Sequence, residues 1–171
     1  MEIIVLGLLI GGGMWLILQW WKKKFFGIRN QVNKILGKHG LTLSDLTGYG
    51  CIYVGGHPDC NWGATNVVVG AKKGKLKFFK GIELRYNHDD QLPNGTLNWA
   101  TNPAYLFDIP INEHTTVQID DTLIGDFAIF IKWFDGNYPY FAEFCIKDIN
   151  AKNRAYMLSN ALKKMMRENA K

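Results

Sequence analysis

The chain has 171 residues, a formal net charge of +5 and a 47% share of hydrophobic residues. Those values exclude a disordered, collagenous or disulfide-dense polypeptide and suit one domain of ordinary size beside a targeting segment. The charge is uneven: residues 1–40 hold six basic residues and one acid, and residues 41–171 hold fourteen of each, so the basic balance is no argument for nucleic acid.

Ile3 to Trp21 are 19 consecutive positions without a charge, followed at once by Lys22, Lys23 and Lys24. As a helix this run covers roughly 28 Å, close to the hydrocarbon thickness of a bilayer. Trp20 and Trp21 fall where a membrane-interface aromatic belt is expected, and the lysines mark the cytoplasmic side. The expectation is a single-pass transmembrane anchor over residues 1–24 in the plasma (inner) membrane, N-terminus out. A cleaved signal peptide would carry a basic leading region and a small-residue cleavage site, and this run has neither. A buried core helix would not pair tryptophans with a lysine triplet. Gly7 and Gly11 form a GxxxG pair, a route to a homo-oligomer, although glycine is common in membrane helices and Gly11-Gly12-Gly13 equally suits a kink.

Residues 25–40 read as a juxtamembrane stem helix, with Ile28, Val32, Ile35 and Leu36 at helical spacing and Gly37 and Gly40 as its stop. Its basic residues suit anionic headgroups, each worth about 1 kcal/mol near such a surface. The expected cytoplasmic domain occupies residues 41–171. Short runs rich in Val, Ile, Phe, Tyr and Trp predict strands at Cys51–Val54, Asn66–Ala71, Lys75–Phe79, Ile82–Tyr86, Tyr105–Ile109, Thr116–Asp120, Ala128–Phe134 and Tyr140–Lys147. Lys73-Gly74 and Asp135-Gly136-Asn137 predict hairpin turns. Residues 87–104 read as a long polar loop cornered by Pro93-Asn94-Gly95. Ile129, Ile131 and Trp133 share one strand face and Phe130, Lys132 and Phe134 the other, which marks a central strand. A closing helix over residues 150–167 carries the stripe Ala155, Leu158, Leu162 and Met165, with Asp148 or Asn150 as its cap. Cys51, Cys60 and Cys145 are expected to be free thiols in a reducing cytoplasm.

About seven antiparallel strands and one amphipathic helix form a pattern that resembles bacterial pleckstrin-homology-like (PH-like) domains. The likeness rests on "YVGGHPD" from Tyr53, "LFDIPINEHTTVQI" from Leu106, "FAIFIKWFDGNYPYFAEFCI" from Phe127 and "NAKNRAYMLSNALKKMM" from Asn150. It covers residues 49–168 and is one of pattern rather than signature. It implies a mainly β, partly open antiparallel barrel closed by the C-terminal helix. It does not imply phosphoinositide binding, because such folds serve lipid, peptide and assembly roles alike.

Four constellations bear on function. Lys72, Lys73, Lys75, Lys77 and Lys80 surround one turn and, with Lys22, Lys23 and Lys24, are candidates for headgroup contact; a lysine-protected edge strand gives the same pattern. Cys51, His57 and Cys60 have metal-ligand chemistry, with His88 as a distant fourth, but their spacing matches no familiar zinc site and His57-Pro58-Asp59 reads as a turn. His88-Asp89-Asp90 places an acid–base residue beside carboxylates, yet no nucleophile elbow, phosphate loop or dinucleotide fingerprint accompanies it. Trp62, Trp99, Tyr105, Tyr138 and Tyr140 lie in or beside expected loops, where aromatics anchor partners. The combined expectation is a non-enzymatic binding or assembly module for a protein or peptide partner, with no metal or cofactor and no nucleic acid. The alternatives are anionic-lipid binding by the Lys72–Lys80 hairpin and, third, an enzyme or metal site at Cys51, His57, Cys60 and His88.

Overall fold

The computed structural model describes residues 2–48, 50–60, 63, 65–85, 96–123, 126–147 and 150–170, with side chains described from residue 13 onward except at 121–123 and 126. A single helix, α1 (Glu2–Lys38), leads into a 3-10 turn (Leu43–Asp45) and eight strands: β1 (Leu46–Thr47), β2 (Cys51–Gly55), β3 (Thr65–Lys72), β4 (Lys75–Leu84), β5 (Leu97–Pro110), β6 (Thr116–Leu123), β7 (Asp126–Asp135) and β8 (Tyr138–Lys147). Helix α2 (Ala151–Asn169) closes the chain. All strand pairs are antiparallel, and the sheet order is β5-β4-β3-β2-β8-β7-β6, with β1 beside β3. The terminal strands β5 and β6 do not pair with one another, so the sheet stays open. This mainly β sheet with a C-terminal helix is compatible with a PH-like fold.

The sheet curls around an aromatic core in which Tyr53, Phe78, Phe107 and Phe144 pack ring against ring. Ile129, Ile131 and Trp133 of β7 face this core while Phe130, Lys132 and Phe134 are only partly covered, so the alternation read from the sequence describes a strand flanked on both sides. Ala155, Leu158 and Leu162 of α2 seat its stripe on the same core. Asn150 occupies the N-cap position without a side-chain capping bond, and Asp148 lies outside the described residues.

A second core lies on the opposite face of the sheet. Val32 and Leu36 of α1, both fully buried, pack with Leu41, Leu43 and Leu46 against Val68, Phe79, Ile82, Leu84, Leu97 and Ala100. Ile28 and Ile35 flank them, so the whole helical stripe of the stem is spent on the sheet. Where Val67–Val69, Leu76–Phe79 and Tyr105–Ile109 lie side by side, strands β3 to β5 are therefore covered on both faces, and residues 25–38 continue the preceding helix without a break. His39, Gly40 and Leu41 end α1 by donating to the carbonyls of Leu36 and Gly37.

Three expectations are corrected. Residues 97–104 are strand rather than loop: β5 begins at Leu97 and pairs Ala100 with Ile82 and Trp99 with Glu83; residues 87–95 lie outside the description. The two strands expected at 75–79 and 82–86 are one strand, β4, which crosses Gly81 at a register shift. Gly81 has φ +69°, and a Cβ there would fall on the Thr101 and Asn102 carbonyls, so the residue that interrupts the pattern is the one the bulge requires. Finally, β4 pairs on both sides, so its lysines do not guard a sheet edge.

Met14 to Leu18 and Trp20 and Trp21 are exposed in an unbroken helix, hence on all its sides. Among the described residues no helix is long and apolar enough to cross a membrane; residues 3–12 of the expected anchor, with Gly7 and Gly11, lie outside the described side chains.

Truncating Leu36 to Ala should destabilise the domain by about 2–5 kcal/mol, as for a fully buried leucine. Denaturant unfolding measures this; a loss within about 0.5 kcal/mol, the size of a surface change, would show that the stem is not part of the core.

Candidate functional site

The β3–β4 hairpin turns on Lys73 (φ +53°) and Gly74 (φ +69°), the pair of positive φ values a tight two-residue hairpin needs. Lys72 and Lys73 project at the turn and are exposed. Lys75 and Lys77 lie further along β4, opposite Pro110 and Asp108 of β5. Lys75 Nζ donates to both Asp108 carboxylate oxygens at 3.1 and 3.2 Å, and Lys77 Nζ is 3.7 Å from the same carboxylate. Two of the five lysines of the run thus lie against an acid on the neighbouring strand. The Lys75 pair is largely exposed and contributes little to stability.

Asp108 is also where other candidates converge. Burial, followed by the charge and hydrogen bonding of Asp108, pushes the Tyr105 phenol up to about 12. Tyr105 is half-buried on β5, stacked under His39 at 4.2 Å and edge-on to Phe79 at 5.7 Å. On its main-chain side, the Asp108 carbonyl meets His57 Nε2 at 3.1 Å. No local motif points to Asp108; only the cross-strand register with Lys77 brings it to this centre.

His57 is 5% exposed, with its ring stacked on Phe107 at 4.1 Å and Trp133 at 5.2 Å. Its Nδ1 accepts from the Asp59 amide at 3.1 Å, which leaves Nε2–H to donate to Asp108. Both ring nitrogens are occupied in the neutral form, and burial, the largest influence, lowers the pKa. The Tyr53 hydroxyl accepts from the His57 amide at 2.9 Å and donates to the Cys60 carbonyl at 3.0 Å, while the Cys60 amide donates to the His57 carbonyl. The expected 57–59 turn is present, and it works as a core-lining brace. Cys51 is buried and its thiol is pushed far up by burial, the reverse of an activated nucleophile. Cys60 and Cys145 are buried free thiols. Among the described residues no group of three His, Cys, Asp or Glu is placed to hold a metal ion. His88, Asp89 and Asp90 lie outside the described residues, as does Trp62.

Among the described residues of the core, the space between Cys51, Val69, Phe78, Ile131, Phe144 and Leu158 amounts to about 10 Å³, room for one water at most. The remaining aromatic candidates are separated. Tyr140 stacks half-buried on Trp133 at 5.7 Å, whereas Tyr138 opens β8 at 73% exposure. Trp99 is 39% exposed on β5, with Nε1 donating to Thr101 Oγ1 at 2.8 Å. The sequence reading missed the outer face of β2, β7 and β8, where Val54, Phe130 and Phe141 line a groove and Lys132 lies over the rings of Phe134 and Phe141. Its signal was the presence of Phe130 and Phe134 on β7 and Phe141 on β8 at positions alternating with the core-facing ones.

Comparison with known proteins gives no match: none to a family model, none to a curated protein and none to a solved structure.

His57 makes stability pH-dependent in a defined direction. Its pKa is lowered from 6.5 on folding, so its contribution is complete above that value and is lost as pH falls through the depressed folded value. His39, also lowered from 6.5, first by burial and then by Lys77, acts in the same sense. Denaturation midpoints measured between about pH 7.5 and pH 5 should fall with pH, and fall less steeply in His57→Gln. A variant curve as steep as the parent's would remove His57 as a source.

Proposed function

We propose that this protein is a membrane-anchored, non-enzymatic binding or assembly module that presents a PH-like, partly open barrel to a protein or peptide partner at the cytoplasmic face of the plasma membrane. The observation that carries the reading is the continuity of α1. One helix starts at Glu2, runs through the uncharged stretch, passes the lysine triplet and packs its last turns into the second core. From Met14 to Trp21 it exposes apolar side chains all round, which in a stable helix calls for lipid or protein cover. The lysine triplet, on the positive-inside rule, turns the domain to the cytoplasm.

The same helix argues for a protein partner over lipid at the hairpin. From Lys22 to Lys38 α1 rises about 24 Å. A Cβ at Gly40, just beyond its end, would lie 3.8 Å from Lys72 Cγ, so the hairpin turn sits at the far end of the stem. That is several times the roughly 8 Å screening length at physiological salt, and headgroup charge decays within it. The third reading is opposed by the neutral, doubly bonded His57 and the buried, unactivated Cys51. Tyr138 and the groove beside Phe141 are the surfaces offered to a partner.

Full-length protein in native membranes should resist alkaline carbonate extraction, and a reporter fused after the last residue should read cytoplasmic. Reversing Lys72 and Lys73 to Glu should leave membrane retention and liposome association unchanged. An external reporter signal would refute the orientation, and reduced association of the lysine variant with anionic liposomes would restore the lipid reading.

A further inference from the structure

Strands β4 and β5 extend past the bulge at Gly81 and Asn102 as a two-stranded arm. One face of the arm, formed by Ile82, Leu84, Leu97 and Ala100, belongs to the core shared with α1. Glu83 and Trp99, paired on the ladder, are exposed. The arm runs along the stem in a direction the contacts define. Asn102 and Pro103 lie with Gln31, Lys34 and Ile35 around one cleft, whereas Tyr105, further along β5, stacks on His39. Moving back along β5 therefore moves back along α1, toward the lysine triplet. From Asn102 to Leu97 a strand covers about 16 Å, and from Lys34 to Lys24 a helix covers about 15 Å. The end of the paired arm thus reaches the level of Lys24.

We infer that this arm is a second membrane contact, with Trp99 and Arg85 meeting the lipid headgroup layer beside the point where α1 enters it. Tryptophan and arginine are suited to that layer, the first by its amphipathic ring and the second by its charge on a long stem. Arg85 is held at the arm's end by its amide, which donates to the Thr96 carbonyl at 2.9 Å. Two contacts, helix and arm, fix the domain's rotation about the helix axis, and the Lys72–Lys73 turn faces the cytosol. This inference rests on the anchored-module reading.

The test uses the full chain in nanodiscs doped with a nickel-chelating lipid. All three native cysteines are buried, so a spin label can be directed to a new surface cysteine. Labels at Trp99→Cys, at Asn98→Cys and at Lys73→Cys are compared. Several-fold stronger relaxation by the nickel lipid at 99 and 98 than at 73 is expected, and Asn98→Cys decides the matter if Trp99→Cys does not fold. Relaxation at 73 equal to or above that at 98 and 99, or none at any site while the chain co-elutes with the discs, overturns the inference alone. Failure to co-elute overturns the anchored-module reading beneath it.

Discussion

The burial of Val32 and Leu36 against the outer face of β3 to β5 is the contact on which the rest depends. Without it the sheet would show an apolar surface of Val68, Phe79, Ile82, Leu84 and Leu97 to water, a patch that marks an interface or an aggregation site. With it, the same residues bind the stem to the domain. A fully buried leucine or valine contributes on the order of 1.5–3 kcal/mol by transfer from water. Two such residues, with Ile28 and Ile35 beside them, suffice to hold one orientation against the thermal motion that a flexible linker would allow.

That rigidity changes what the lysines can do. Read as sequence, Lys22–Lys24 and Lys72–Lys77 are two similar basic clusters. On the molecule they stand at opposite ends of the stem, and Asp108 binds Lys75 and lies close to Lys77 in the second cluster. Charge sign and residue type were therefore a poor guide to a shared role; distance along a helix separates them. The histidine and cysteines that suggested metal chemistry meet a similar fate. His57 spends both nitrogens on main-chain partners, and Tyr53 ties its loop to Cys60. The polar groups of the 53–60 segment serve to close a turn against the aromatic core.

Legibility followed the range of the determining interactions. Strand β7 and helix α2 were readable because burial imposes a period of two or of 3.6 within a few residues. The stem's stripe was readable too, but not its target, since nothing local links Leu36 to Phe79. The β4 half of the arm was read as a separate strand because Gly81 breaks the alternation, and its β5 half was lost because Asn98, Thr101, Asn102 and Pro103 are common loop residues. Their strand state comes from pairing with residues 82–84 and from the cover of α1, neither visible in a window of sequence. Asp108 was overlooked for the same reason, its importance residing in a cross-strand register.

A rigid stem also bears on how a partner would be engaged. A domain on a flexible tether samples many orientations and loses that freedom on binding, whereas one fixed to its anchor has already lost it in folding. For a partner that is itself at the membrane, this preorganisation raises affinity only if the presented face matches the partner's position, and abolishes it otherwise. The surfaces left uncovered by α1 and α2 are then the informative ones: the groove of Val54, Phe130 and Phe141, and, on the opposite face of β8, the exposed Tyr138 at its start. Strands β3 to β5 have their apolar faces occupied already. The proposed binding role is therefore assigned to the β2-β8-β7 side, where Val54 and Phe141 are exposed.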